Sequence, residues 1–348
     1  APSLDLDREA AVLFTSGTTG RPKGARLTYG NLWFSAVSSA LRLGHSPDDV
    51  WLATLSLHHI GGLSILYRAA VGGLTADLHA RFDADAVLQA IAAGASLVSL
   101  VPTMLQRVLD AAGDGFVWPA TLRGILLGGA AAPLPLVERC LAAGVPVLPT
   151  YGLTESTAQA ATLLATEVCD HAGSSGRALP LTELRVRTNG SDAKPGETGE
   201  IEVRGPTVFA GYLGEPPRDP ASWFATGDAG YLSHDGYLHV VDRRTDLIVS
   251  GGENIYPAEI ERVLLLHPSV RDAAVVGAPD AQWGARPLAA VVWAGRPGSA
   301  SQVLRDHCRQ ALAAVKVPDR IVEVPEVPRS AGGKLLRRQV RALLGVDE

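Results

Sequence analysis

A chain of 348 residues, 47% of them hydrophobic, carries enough apolar material for a large core and for two domains. No run nears the ~20 apolar residues of a membrane-crossing helix, and no charged-then-apolar leader opens the sequence, so neither a transmembrane segment nor export is expected. A net charge of -5 argues against nucleic acid as a partner. Cys140, Cys169 and Cys308, odd in number and widely spaced, fit a reducing cytoplasm better than a disulfide or metal framework.

Taken in chain order, the apolar run Ala11–Phe14 leads into TSGTTGRPKG, residues 15–24. Glycines at 17, 20 and 24, hydroxyls at Thr15, Ser16, Thr18 and Thr19, and the ammonium of Lys23 crowd this loop. Glycine permits turns that expose successive amides, so the segment suits a polyphosphate. It is not the Walker pattern, because Gly24 stands where Ser or Thr is needed. Alone it also reads as a polar surface loop.

Strands are expected over Ala11–Thr15, Val50–Leu55, Ser96–Val101, Gly124–Leu127 and Val145–Pro149. Helices are expected over Tyr29–Leu43, Gly62–Val71, Ala84–Ala92, Thr103–Ala111 and Leu134–Ala142. This alternation predicts a largely parallel sheet covered by helices, with ligand loops at strand C-terminal ends. The loops at 15–24, 128–132 and 150–156 each follow an expected strand.

From about Pro180 short runs separated by Gly, Asn and Asp turns predict a small antiparallel unit: Leu184–Arg187, Gly199–Arg204, Ala229–Leu232 and Tyr237–Val241. The polar DRRTD at 242–246 reads as a joint. Beyond it, helices over Pro257–Leu266, Gln302–Ala314 and Leu335–Leu344 and strands over Ala273–Val276 and Leu288–Trp293 make a compact α+β domain. The fold expected is therefore α/β, with a large N-terminal domain of mostly parallel sheets plus a small β unit, over 1–242. A hinge at 243–246 and a small α+β domain at 247–348 follow.

Several short segments carry chemistry. In YGLTES, Tyr151 offers a flat face for a base, Thr154 a hydroxyl for phosphate and Glu155 a carboxylate for Mg²⁺. The same residues also read as a helix start, Thr154 capping and Glu155 complementing the dipole. Gly129 and Ala130 lie in a backbone-rich turn suited to an adenine edge. Asp228 in TGD can accept from both ribose hydroxyls. Arg243 is available to ribose or phosphate, and Lys334 is presented in RSAGGKLL. Only four of the 31 basic residues are lysines, so Lys23 and Lys334 in Gly-rich loops stand out.

TSGTTGRPKG, YGLTES, GEIEVRG, TGD, DRRTDLIVSGGENIYPAEIE and PRSAGGKLLRR, in this order, resemble the adenylate-forming superfamily of acyl-CoA synthetases, adenylation domains and luciferases, over Ala11 to about Leu344. The resemblance implies a two-step reaction. A carboxylic acid attacks the α-phosphorus of ATP to give an acyl-adenylate and diphosphate, and a thiol, usually coenzyme A (CoA), then displaces AMP. It further implies that residues 15–24, with Lys23, hold the β and γ phosphates, that Thr154 meets phosphate and that Glu155 binds Mg²⁺. Tyr151, Gly152 and the Gly129–Ala130 backbone flank adenine, while Asp228 and Arg243 bind ribose. Lys334 matches the catalytic lysine bridging substrate carboxylate and α-phosphate. Thr245 matches the pivot about which the small domain turns, and Gly251–Gly252 the thiol tunnel.

LHHIGGLSILYR, residues 57–68, matches the wall of the acyl pocket and lacks the aspartate that amino-acid-activating relatives carry. His59 matches a position that closes over the adenylate; a purely structural histidine is the alternative, and His58 is read as its neighbour. The finer resemblance is to the 2-succinylbenzoate–CoA ligase family of menaquinone synthesis. That substrate's second carboxylate needs a cationic partner inside an apolar pocket. Arg68 is the leading candidate and Arg81 a weaker one, with a surface arginine on an amphipathic helix as the plain alternative. Ser156 and Thr157 are expected to face the aromatic ring or its ketone.

Two other readings stay open: another aryl or medium-chain acyl-CoA synthetase, and a shortened adenylate-binding protein without turnover. The second arises because the phosphate loop comes within fifteen residues of the start, where members of this superfamily usually carry a longer leading segment. The sequence also leaves a homodimer open.

Overall fold

A computed structural model describes residues 5–15, 23–243, 246–251, 253–294, 300–329 and 335–346. The chain divides into two compact units. The first is Ala1–Ala132 with Leu136–Thr226 and Gly230–Val240, and the second Val241–Glu348 with Pro133–Pro135 and Gly227–Ala229.

The first unit starts with an antiparallel hairpin, β1 (Glu9–Thr15) and β2 (Lys23–Thr28), registered so that Thr15 opposes Lys23. This corrects the expectation that the 15–24 loop links a parallel strand to a helix: it joins two antiparallel strands outside the main sheet. Helix α1 (Tyr29–Leu43) follows directly. Thr28 and Asn31 form a reciprocal capping box at its start, and Gly44, at φ 67°, closes its end in the left-handed conformation that glycine adopts without strain.

Next come β3 (Val50–Ala53), α2 (Ile60–Gly72), β4 (Thr75–Leu78), α3 (Ala84–Ala92), β5 (Leu97–Leu100), α4 (Pro102–Ala112), β6 (Gly124–Leu127), α5 (Leu134–Ala142) and β7 (Val147–Tyr151). Strands β4-β3-β5-β6-β7 pair in parallel. Two short antiparallel strands, β8 (Ala161–Thr162) and β9 (Arg177–Ala178), extend the sheet to seven. Near-continuous burial along β5 and β6 (Leu97, Val98, Leu100, Ile125, Leu127) reflects helices on both faces. The first unit's largest core packs these strands against Val87, Ile91, Leu105 and Val108 of α3 and α4.

A five-stranded sheet holds β10 (Glu183–Thr188), β11 (Ser191–Asp192), β12 (Gly199–Arg204), β14 (Phe224–Leu232) and β15 (Leu238–Arg243), in the order β11-β10-β12-β14-β15. The intervening β13 (Gly211–Tyr212) pairs instead with β2, completing a three-stranded sheet with the hairpin.

The second unit contains β16 (Ile248–Ser250), β17 (Glu253–Ile255), α6 (Pro257–Leu265), β18 (Val270–Asp280), β19 (Gly284–Trp293), α7 (Ala300–Ala311), β20 (Arg320–Glu323) and α8 (Arg337–Leu343). Its two central strands run several residues beyond the expected Ala273–Val276 and Leu288–Trp293, because they form one long hairpin from Val270↔Trp293 to Asp280↔Gly284. The three cysteines are free; burial pushes the thiols of Cys140 and Cys308 up to about 11, and Cys169 is exposed.

A polar node ties α1 to the sheet. The buried Asp49 carboxylate accepts from Ser96 Oγ at 2.7 Å, Ser46 N at 2.7 Å and the guanidinium of Arg123. His45 lies edge-on to Trp51, and burial first, then the cations Arg68 and Arg123, hold its pKa at about 4 against the opposing pull of Asp49. The folded chain therefore binds this proton near pH 4 and the unfolded chain near 6.5. Stability is unaffected above 6.5 and falls as pH drops towards 4, by about 1–2 kcal/mol once partial exposure is discounted. His45→Gln should flatten the urea midpoint across that window relative to the parent, and an unchanged slope would remove this account.

Candidate active site

Parallel strands place the loops after β3, β5, β6 and β7 on one sheet edge. The chain leaves β3 towards β4 and leaves β5 towards β6, in opposite directions, so the strand order reverses between β3 and β5, the point of an open α/β sheet at whose strand C-terminal ends ligands characteristically bind. His59, the residue before α2, stands at this edge. It is exposed, its ring lies 4.3 Å from that of His58, and burial together with His58 lowers its pKa. His58 is bonded to Ser56 Oγ at 2.6 Å.

From His59 helix α2 runs back over β3. Arg68, nine residues on, is about 13.5 Å further along the helix at 1.5 Å per residue. Its side chain is 1% exposed, which removes the surface-arginine alternative. The guanidinium stacks on Trp51 with its carbon 4.8 Å from the ring centroid. Among the described residues Nε and Nη2 meet no hydrogen-bond partner, and desolvation lowers the pKa to about 9, leaving the group charged at neutral pH. A buried cation with no carboxylate partner among the described residues is costly. Arg81 lies in the loop before α3 and is exposed.

The turn after β7 carries YGLTES. Residues 154–156 form one turn of 3₁₀ helix preceded by Leu153, so a short helix does start here with Glu155 in its first turn, but Thr154 does not cap it. Gly152 has a conformational reason: a Cβ there would overlap the Ala158 carbonyl, where the loop folds back on the strand. Thr157 and Ala158 hold positive φ (53° and 85°), an arrangement costing on the order of 1–3 kcal/mol each. Ser35 Oγ donating to Thr157 O at 2.5 Å and Thr157 Oγ1 donating to Thr207 O at 2.6 Å keep it in place.

These bonds correct one expectation. Ser156 and Thr157 are 0% exposed, and Ser156 Oγ is bonded to the Leu153 backbone, so both hydroxyls maintain the loop rather than face a substrate ring.

Glu155, 7% exposed, is turned towards the hairpin sheet. Tyr212 on β13 donates its hydroxyl to Glu155 Oε1 at 2.8 Å, and Phe209 N donates to Glu155 O at 2.9 Å. Lys23, opening β2, lies over the same Tyr212 ring at 4.7 Å and pairs with Glu215 at 3.2 Å. Thr15 Oγ1 approaches Lys23 O at 3.5 Å. The structure thus brings Lys23 and Glu155 to Tyr212, with Thr15 beside Lys23 on the neighbouring strand. Sequence reasoning passed over Tyr212, since nothing in its Gly-Tyr-Leu context reveals a partner 57 residues earlier. Gly129 and Ala130 follow β6 and buried Tyr151 ends β7; these neighbouring parallel strands bring the two loops together.

Asp228 is buried on β14. In the second unit Gly251 N donates to Trp283 O at 2.9 Å. Arg329 and Leu335 pair across an antiparallel bridge, and Arg329 is held by Asp272 at 2.8 Å. Arg337 is fixed by Asp246 Oδ2 at 2.8 Å and Glu261 Oε1 at 2.5 Å. Ser16, Gly17, Thr18, Thr19, Gly20, Thr245, Gly252, Lys334 and the side chain of Arg243 lie outside the described residues.

Glu155 fits a magnesium ion that is bound with a nucleotide: one buried carboxylate, with phosphate and water oxygens completing the shell. Among the described residues no group of three or more His, Cys, Asp or Glu forms a metal cage of its own.

Comparison with known proteins identifies the family. The AMP-binding enzyme profile matches residues 1–213, and the AMP-binding enzyme C-terminal domain matches 259–334. The chain belongs to the AMP-binding enzyme family. It is 46% identical over 351 residues to 2-succinylbenzoate–CoA ligase of Geobacillus kaustophilus (strain HTA426), covering 99% of this chain and 71% of that protein. The ligase of the same name from Bacillus subtilis (strain 168) is 45% identical, over 97% of this chain and 70% of its own. Among solved structures, o-succinylbenzoate CoA synthetase from Bacillus subtilis with its acyl-adenylate intermediate superimposes at a TM-score of 0.89, with 45% identity, 97% of this chain and 70% of that chain. The same synthetase with ATP and magnesium ion also gives 0.89, at 43% identity over 97% of this chain and 71% of that one. ATP-bound MatB from Rhodopseudomonas palustris gives 0.87 at 31% identity, over 97% and 69%.

Gly152→Ala is expected to destabilise the first unit by about 2 kcal/mol or more, since the backbone opposite cannot yield cheaply. A urea midpoint equal to that of the parent would show that the loop moves aside.

Proposed function

We infer that this protein is an ATP-dependent acid–thiol ligase that converts 2-succinylbenzoate, ATP and CoA into 2-succinylbenzoyl-CoA, AMP and diphosphate through an acyl-adenylate. The observation that carries the choice of acid is Arg68, a charged guanidinium inside the core with two N–H donors lacking partners among the described residues. Placed well along α2 from His59, it suits an acid whose activated carboxylate sits at the sheet edge while a second carboxylate reaches inward. A carboxylate there would form charge-assisted bonds with the idle donors. A monoacid would leave them bare.

In the first half-reaction a carboxylate oxygen attacks the α-phosphorus, and the bond to the bridging oxygen of diphosphate breaks. Two anions meet, so preorganised donors and cations lower the barrier most. Lys23, with residues 15–20, holds the outer phosphates, and Thr154 gives a hydroxyl to phosphate. Glu155 would hold Mg²⁺, which when bound neutralises charge between the phosphates. Tyr151, Gly152 and the Gly129–Ala130 backbone bracket adenine, and Asp228 and Arg243 take ribose. Lys334 bridges the attacking carboxylate and the α-phosphate.

In the second half-reaction the CoA sulfur attacks the acyl carbonyl and the acyl–phosphate C–O bond breaks, releasing AMP. Turning about Thr245 withdraws Lys334 and brings Gly251–Gly252 to the thiol, while His59 closes over the acyl group. Three free cysteines suit the reducing cytoplasm in which we place the enzyme.

Diphosphate release should be fast with 2-succinylbenzoate and slow with benzoate-like or medium-chain monoacids; a monoacid preference would favour a different acyl-CoA synthetase. Arg68→Leu should raise KM for 2-succinylbenzoate about 10²-fold, the loss of one well-paired buried ion contact, with little change for a monoacid. Equal changes for both acids would reject the assignment. Lys334→Ala should slow adenylation roughly 10²–10³-fold while sparing thioester formation from pre-made adenylate, as expected of a donor used in one transition state. Loss of both half-reactions together would contradict it.

A further inference from the structure

Tyr212 belongs to none of the segments that carry the adenylation chemistry, yet it touches two of them. Its strand is only two residues long and is aligned by pairing with β2, Tyr212 opposite Ala25. Phe209 packs edge-on against its ring at 4.8 Å. We propose that Tyr212 is a positioning residue that sets the carboxylate of Glu155 for the metal of Mg·ATP and the ammonium of Lys23 for the phosphates, one through its hydroxyl and the other through its ring. The proposal rests on the assignment of Glu155 to Mg²⁺ and Lys23 to phosphate made above.

The hydroxyl acts first. A carboxylate 7% exposed that pivots freely presents either oxygen to a cation, and ordering it on binding costs affinity. The 2.8 Å bond to Oε1 restrains the rotation of the group and commits that oxygen, so that Oε2 is the one available to a cation. Phe209 N holds the main chain of the same residue at 2.9 Å, so residues 209–212 determine both the position and the rotation of Glu155. Such outer hydrogen bonds commonly govern metal affinity nearly as strongly as the ligands themselves.

The ring acts on Lys23. An ammonium 4.7 Å from the centroid of an aromatic face is attracted by the ring quadrupole, which narrows the arc swept by a four-carbon side chain. Glu215, three residues after Tyr212 and largely exposed, takes the charge at 3.2 Å. A pair between exposed groups is worth little, so a multiply charged phosphate displaces Glu215 while the ring contact persists.

The test is nucleotide binding measured by calorimetry, with ATP plus Mg²⁺ and with ATP plus chelator, without acid or CoA. Tyr212→Phe keeps the ring and its contact with Phe209, so the fold is retained. It should weaken Mg·ATP about tenfold while leaving metal-free ATP unchanged. Tyr212→Leu, which also removes the aromatic face, should weaken both. Glu155→Gln run alongside separates the possible failures. If it abolishes the gain from Mg²⁺ while Tyr212→Phe behaves as the parent, the role of Tyr212 is overturned and that of Glu155 stands. If Glu155→Gln also binds as the parent, the metal assignment falls and the role of Tyr212 falls with it.

Discussion

Parallel pairing of β4-β3-β5-β6-β7 is the constraint from which the rest follows. A parallel strand cannot be reached by a tight turn, so each return passes through a helix and each outgoing loop emerges on the same edge. His59, Gly129–Ala130 and Tyr151–Glu155, scattered over nearly a hundred residues of sequence, are neighbours along that edge for this reason alone. The same polarity sends α2 backwards from His59 and carries Arg68 over the sheet.

The elements with local punctuation were readable from the sequence. Helix α1 begins and ends where its Thr28 cap and Gly44 stop indicate, and α3, α5, β6 and β12 fall on their expected limits. What escaped was non-local. Lys23–Thr28 alternates over only two apolar positions, Ala25 and Leu27, too short a pattern to single out a strand, and it pairs with β1 on one side and the two residues of β13, far along the chain, on the other. The glycines and lysine of residues 15–24 read as a loop following a strand, and β1 does end at Thr15, but they gave no hint that the next element would be a strand.

The candidate site divides along the same line. Residue type and order sufficed to mark Glu155, Tyr151 and Lys23 as groups worth examining, because their chemistry is written in their side chains. Side-chain surroundings were not written there. The hydroxyls of Ser156 and Thr157 looked available and are consumed by backbone carbonyls that only the folded loop supplies. Arg68 could be read either as an inward cation or as a surface arginine, and the fold seals it against Trp51. Both outcomes are set by how neighbouring layers pack, which a single stretch of sequence does not encode.

The sealed Arg68 guanidinium also bears on how long the protein lasts. A core with an uncompensated charge is less stable than the same core with its counter-ion present, so occupancy by a diacid and persistence of the native state are thermodynamically coupled. On the proposed reading, scarcity of the acid leaves more chains open to proteolysis, and a plentiful supply preserves them. The acid would then regulate the abundance of its own ligase without any separate control element.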